Sequence, residues 1–135
     1  MTLLTWNNAC TVGVKAMDDQ HAIMMDTMNE LRSVPIGSSK RVQEDERLTR
    51  LLEFTRMHFL NEEKLMEQYG FPGLAQHRAE HQRLLAQLHE SVTRLQHREE
   101  MHMDDFLCSL HHWFIDHVAG QDQQYGPWLN KHGVN

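Results

Sequence analysis

Along most of the chain, apolar residues recur at intervals of three and four, the spacing of one buried face of an α-helix. The first series is His21, Met24, Met25, Met28 and Leu31. It opens on the acidic pair Asp18-Asp19, which suits a helix first turn, and closes at Pro35, Gly37, Ser38 and Ser39, predicting a helix over 18–34. A second series, from Leu48, Leu51, Leu52 and Thr55 through His58, Phe59 and Glu62 to Leu65, Met66 and Tyr69, predicts a helix over 40–69. A third runs through Leu74, His77, His81, Leu84, Leu85, Leu88, Val92 and Leu95 and predicts a helix over 72–98. Tyr69-Gly70-Phe71-Pro72 separates the two, with glycine for a left-handed cap and proline for the next first turn. The fourth, Phe106, Leu107, Leu110, Trp113, Phe114, His117 and Val118, predicts a helix over 103–120 that ends at Gly120.

The flanks have no such period. Residues 1–17, with Trp6, Val12, Gly13 and Val14, read as an extended arm. Residues 121–135 read as a short tail with a turn at Gly126-Pro127 and two aromatics, Tyr125 and Trp128, that dock on the rest. There is no β-type alternation, internal repeat or low-complexity stretch. The expectation is one all-α domain over 1–135, an up-down-up-down four-helix bundle with an N-terminal extended arm and a C-terminal tail.

Composition narrows the function. A length of 135 residues, 40% hydrophobic and 24% charged, is enough for one globular core. The net charge of -6, without a basic stripe, argues against nucleic acid as a partner. No run approaches the roughly 18 apolar residues of a membrane span, so no membrane insertion is expected. The start, MTLLTWNNACTVGV, lacks the basic and apolar regions of a signal peptide, so a cytoplasmic location is expected. Cys10 and Cys108 form no CxxC and read as reduced, buried thiols. Histidine is the departure, with 11 copies, and imidazole is the commonest metal ligand.

His58 and Glu62 are four apart, as are His77 and His81. On a helix each pair is offset by only about 40° and shares one face. Taken singly these pairs are weak, because about one His-x-x-x-His is expected by chance in so histidine-rich a chain. Their faces carry more weight. All four lie on the inner stripes of their helices, and His21 and His117 lie inward on theirs. A lone core histidine is more often a hydrogen-bonded structural residue. Five inward histidines around an inward glutamate favour a metal, since a buried carboxylate without a partner costs several kcal/mol. Asp122 is the candidate second carboxylate. A continuous helix would turn it about 140° away from His117, but Gly120 lies between them. Spacing alone leaves it equally readable as a solvated residue beyond the helix end.

Together the segments DDQH with His21, HFLNEE with His58 and Glu62, HRAEH with His77 and His81, and WFIDHVAGQDQQYGP with His117 and Asp122 resemble the hemerythrin family, and its bacterial single-domain branch most closely. Trp6 and Val12-Gly13-Val14 fit that branch's arm, so the resemblance spans about Trp6 to Pro127.

The resemblance implies two iron ions. His77, His81 and His117 would bind one, His21 and His58 the other, with Glu62, Asp122 and an oxo or hydroxo group bridging. One position on the two-histidine iron would stay open for dioxygen, bound reversibly. Ligand type alone does not select iron, because imidazole also suits zinc, copper and nickel. The implied function is oxygen carriage, storage or delivery rather than enzymatic turnover. The alternatives are a di-iron redox enzyme acting on peroxide or nitric oxide, or an oxygen or redox sensor module, with protein partners unknown. Met24, Phe59, Trp113, Phe114 and Val118 are the expected pocket wall, and they read equally as ordinary core. Family members commonly have Leu where Phe114 stands. Glu99-x-x-His102 reads as coincidence, and His89, His97, His102, His111, His112 and His132 as solvated.

Overall fold

The structure is a computed structural model, described over residues 11–34, 37, 39–97 and 102–135. Most of the expected arm, including Trp6 and Cys10, lies outside these residues, as do Pro35, Ser38, Arg98 and Glu99. Five helices follow in order: α1 (Lys15–Arg32), α2 (Lys40–Gln68), α3 (Leu74–Gln96), α4 (Met103–Gly120) and α5 (Asp122–Lys131). Each of the first four packs on its neighbour in sequence, and α4 closes the ring against α1. That is the expected up-down-up-down bundle, with no strand among the described residues. Its core is the predicted stripe set. Met24, Met25, Met28, Leu48, Leu51, Met66, Leu88, Val92, Leu107 and Val118 are all buried, and Met17, from the expected arm, joins them. Burial of each such side chain stabilises the fold by about 1.5–3 kcal/mol before the loss of conformational entropy is counted.

The α2–α3 corner forms as its residues require. Gly70 takes φ +64. Its N–H donates to the Glu67 carbonyl (3.2 Å), and the Phe71 N–H donates to the Met66 carbonyl (2.8 Å). These two bonds make a Schellman cap, which satisfies the last carbonyls of α2. Pro72 precedes rather than opens α3.

Three further expectations need correction. First, α1 begins at Lys15, not Asp18. The Asp18 carboxylate reaches back to accept the N–H groups of Val12 (2.8 Å) and Gly13 (3.3 Å). It thereby pins the segment ahead of the helix instead of starting the helix. Second, the tail is largely α5, and the helix runs through Gly126-Pro127 without a turn. Proline removes one ladder bond, but the continuing helix buries Tyr125 and Leu129 completely. The two aromatics do dock on the bundle, as expected. Tyr125 is buried, and Trp128 Nε1–H donates to the Tyr69 carbonyl at the α2–α3 corner (2.9 Å). Third, Cys108 is an exposed free thiol, not a buried one.

Candidate metal centre

The histidine and carboxylate positions predicted from spacing meet between the helices at the end of the bundle covered by α5. His21 comes from α1, His58 and Glu62 from α2, His77 and His81 from α3, His117 from α4 and Asp122 from the first turn of α5. All seven are buried, none more than 5% exposed. Asp122 reaches the centre because α4 stops at Gly120 and α5 restarts the chain after Gln121, so the solvated alternative is excluded by its complete burial.

The donor atoms fall into two groups. Atoms of Glu62, His77, His81, His117 and Asp122 lie within 4.8 Å of one another, and so do atoms of His21, His58, Glu62 and Asp122. The two carboxylates are common to both. His77 Nε2 is 2.9 Å and His117 Nε2 3.1 Å from Asp122 Oδ1, while His21 Nε2 is 3.3 Å from Asp122 Oδ2. Glu62 Oε1 lies 3.4 Å from His58 Nε2 and 3.2 Å from His81 Nε2. Yet Nε2 of His77, His81 and His117, Glu62 Oε1 and both Asp122 oxygens make no aligned hydrogen bond. Buried polar atoms are normally satisfied. A shell of lone pairs converging on common points is the arrangement that cations complete, so the residues present fit a metal pair.

Electrostatics point the same way. Burial and the neighbouring Asp122 charge oppose ionisation of Glu62, yet the imidazoles of His58, His21 and His81 hold its carboxyl below the ordinary range. Burial likewise opposes ionisation of Asp122, and His117, His21 and His77 overcome it. Burial favours neutral His21, but the carboxylates of Asp122 and Glu62 push its pKa up to about 9. His117 is raised too, Asp122 outweighing burial. Burial lowers His58 to about 4. Without metal, a proton on His21 offsets part of the charge of the two carboxylates, as a buried charge cluster requires.

Outside the donors stands a layer that spacing did not reveal. Gln20 Oε1 is 2.7 Å from His58 Nδ1, Glu63 Oε2 2.8 Å from His81 Nδ1, and Gln121 Oε1 3.1 Å from His117 Nδ1. Each oxygen accepts from Nδ1–H, which leaves the Nε2 lone pair of the neutral ring facing inward. The Tyr125 hydroxyl donates to Glu62 Oε2 in a short hydrogen bond. Burial, with the Glu62 and Asp122 charges, raises that phenol well above its usual pKa and keeps it protonated.

The expected wall residues divide. Phe59 stacks on His81, centroids 3.8 Å apart and planes 5° from parallel. Phe114 meets His21 edge-on at 5.8 Å. Trp113 stands 6.4 Å from Phe59 and 6.5 Å from His117 and is only half-buried. Met24 and Val118 are buried in the apolar core. His89, His97, His102, His112 and His132 are exposed and His111 half-buried, as expected for residues outside the site.

Comparison with known proteins agrees with this geometry. The family model for the hemerythrin HHE cation-binding domain matches residues 12–129. The chain is 30% identical to a bacteriohemerythrin of Stenotrophomonas maltophilia, covering 98% of this chain and 85% of that one. It is 29% identical to a bacteriohemerythrin of Methylococcus capsulatus, covering 96% and 99%. Among solved structures, a leucine-to-alanine variant of a hemerythrin superposes with a TM-score of 0.84 at 30% identity, covering 96% of this chain and 98% of that chain. A wild-type hemerythrin gives 0.83 at 29%, covering 95% and 98%. The chain therefore belongs to the hemerythrin family, a helical scaffold that binds dioxygen at a pair of iron ions.

Proposed function

We propose that the chain is a single-domain reversible dioxygen-binding protein that carries, stores or delivers oxygen. In this reading His77, His81 and His117 would hold one iron and His21 and His58 the other, with Glu62 and Asp122 common to both. The observation that carries it is the division of donors into two groups that share both carboxylates, with one group a histidine short. That shortfall leaves a place for an exogenous ligand on the His21/His58 side. When bound, the iron pair supplies the electrons that dioxygen takes up on binding and returns on release. The side chains orient the donors, through Gln20, Glu63 and Gln121, and exclude water, through Phe59 and Phe114. Complete burial of His21 and the near-complete burial of His58 support a ligand site closed to bulk solvent. A cytoplasmic location is in keeping with the free, exposed thiol of Cys108. Among the described residues no helix is long and apolar enough to cross a membrane.

Iron-loaded protein in air should show a visible charge-transfer band that fades under argon and returns with oxygen. An absent or irreversible band would sink the carrier reading. Turnover of peroxide or nitric oxide well above that of free iron would replace it with an enzymatic one.

Phe114 provides a second test. Its ring packs edge-on against His21, on the side with the open place. Phe114→Leu removes that ring at a stability cost of about 1 kcal/mol and widens ligand access. Iron content should stay the same and autoxidation should quicken severalfold in stopped-flow. Identical rates would remove Phe114 from any gating role.

Metal loading should also depend on pH. His21 is protonated below a pKa of about 9 in the metal-free cluster and must lose that proton to bind metal. Affinity should therefore rise with pH, by up to about tenfold per unit for each competing proton, and flatten above that pKa. Zinc titrations of the metal-free protein at several pH values, with proton release followed in weak buffer, would measure it. A flat profile from pH 7 to 9 would contradict the assignment of His21.

A further inference from the structure

Three of the inward histidines donate from Nδ1 to a side-chain oxygen, and the three acceptors are not equivalent. His58 and His117 donate to neutral amides, Gln20 and Gln121. His81 donates to the Glu63 carboxylate at 2.8 Å. The His81 ring is also fixed by its parallel stack on Phe59, and it meets His77 edge-on at 4.5 Å. Glu63 is itself braced by Arg78, whose Nε–H donates to Glu63 Oε1 at 3.0 Å. Glu63 is little exposed and Arg78 considerably more so, their side chains being 12% and 43% accessible. The relay Arg78–Glu63–His81 thus runs from the surface to one donor of the three-histidine group. On the two-histidine side, the acceptor behind His58 is the uncharged Gln20 amide.

We infer that Glu63 is a positioning residue that makes the two metal positions electronically unequal. The inference rests on the proposed assignment of His81 to the three-histidine iron. A carboxylate pulls on the Nδ1 proton more strongly than an amide, so the ring becomes a better donor through Nε2. Better donation favours the ferric over the ferrous ion at that position. Electrons are then released most readily there, while the two-histidine position, backed by an amide, keeps its place for the exogenous ligand. Arg78 tempers the effect by neutralising part of the Glu63 charge, and its exposure makes its share the smaller one.

The test uses the full chain and two substitutions with opposite expected signs. Glu63→Gln keeps an acceptor for Nδ1–H but removes the charge. Zinc affinity of the metal-free protein should fall 10–100-fold, and in the iron-loaded protein the midpoint potential should rise. A tenfold loss of ferric over ferrous binding corresponds to about 59 mV for a one-electron couple. Arg78→Gln releases the Glu63 charge, and the potential should move down by a smaller amount. An unchanged potential and zinc affinity in Glu63→Gln, with two irons still bound, would overturn the inference while leaving the oxygen-binding reading intact. Should Glu63→Gln not retain iron, the zinc titration decides, and an affinity equal to wild type overturns the inference. Wild-type protein that binds no iron would overturn both.

Discussion

Gly126→Ala should cost about 3 kcal/mol and lower Tm by roughly 10 °C, although alanine is the better helix former. In an exposed helix the same change stabilises by about 1 kcal/mol, so the sign alone tests the packing. Gly126 is buried in the middle of α5, and a Cβ there would overlap the Val12 carbonyl oxygen. That oxygen has little freedom to withdraw. Asp18 holds the N–H groups of Val12 and Gly13, Gln123 Nε2–H donates to the Thr11 carbonyl at 3.1 Å, and Asn130 Nδ2–H donates to the Gly13 carbonyl at 2.9 Å. Gln123, Gly126 and Asn130, spaced three and four apart, form one face of α5 laid along residues 11–13. A Cβ must therefore lift α5 off the bundle or pull that segment away. Because α5 also carries Asp122 and Tyr125, iron content should drop alongside stability. Thermal unfolding of the metal-free variant separates the two losses. A Tm equal to or above wild type would show that the contact is not held in solution.

That helix marks the boundary of what the sequence discloses. The four long helices are legible because each repeats its apolar positions over several turns, and tertiary packing rewards that repeat wherever the chain folds. The donor pairs on α2 and α3 are legible for the same reason, being four apart on inner stripes. α5 is short and contains the two strongest punctuators, glycine and proline, which read locally as a turn. Its helicity is decided by burial of Tyr125 and Leu129 and by contact with Val12, far away along the chain. Asp122 inherits the same ambiguity. The acceptors Gln20, Glu63 and Gln121 look like ordinary polar flank residues, and no spacing rule singles them out. Cys108 differs, because helical phase could have found it. It lies about 100° around α4 from buried Leu107, on the side away from Leu110 and Phe114, where residue type is a poorer guide than phase.

Glu62→Ala should abolish the two-iron site and the oxygen-dependent band, because this carboxylate belongs to both donor groups. Asp122→Ala should do the same. Retention of two irons and a reversible band in either variant would refute the bridging assignment. Metal-free stability separates the two substitutions. Glu62 Oε2 is also the acceptor of the Tyr125 hydroxyl, which is fully buried. Removing the acceptor leaves that hydroxyl unmet, at a cost of about 1–3 kcal/mol. Adding Tyr125→Phe to Glu62→Ala should therefore restore about that amount, although Tyr125→Phe alone in the wild-type background leaves Glu62 short of a donor and destabilises. Glu62→Gln offers Tyr125 an amide oxygen, so its metal-free stability should exceed that of Glu62→Ala while its iron affinity is still lost. Urea unfolding of the metal-free wild type, both single variants and the double variant closes the cycle, and coupling near zero would deny the bond a structural role. Loss of metal from wild type should destabilise more than loss of this bond. Metal at a thousand times its Kd stabilises by about 4 kcal/mol, so chelation should lower the wild-type Tm by roughly 10–20 °C and leave that of Glu62→Ala unmoved. The difference arises because Glu62→Ala lacks a carboxylate common to both donor groups and so has no metal to lose. Glu62 thus connects the buried donor cluster to the docking of α5.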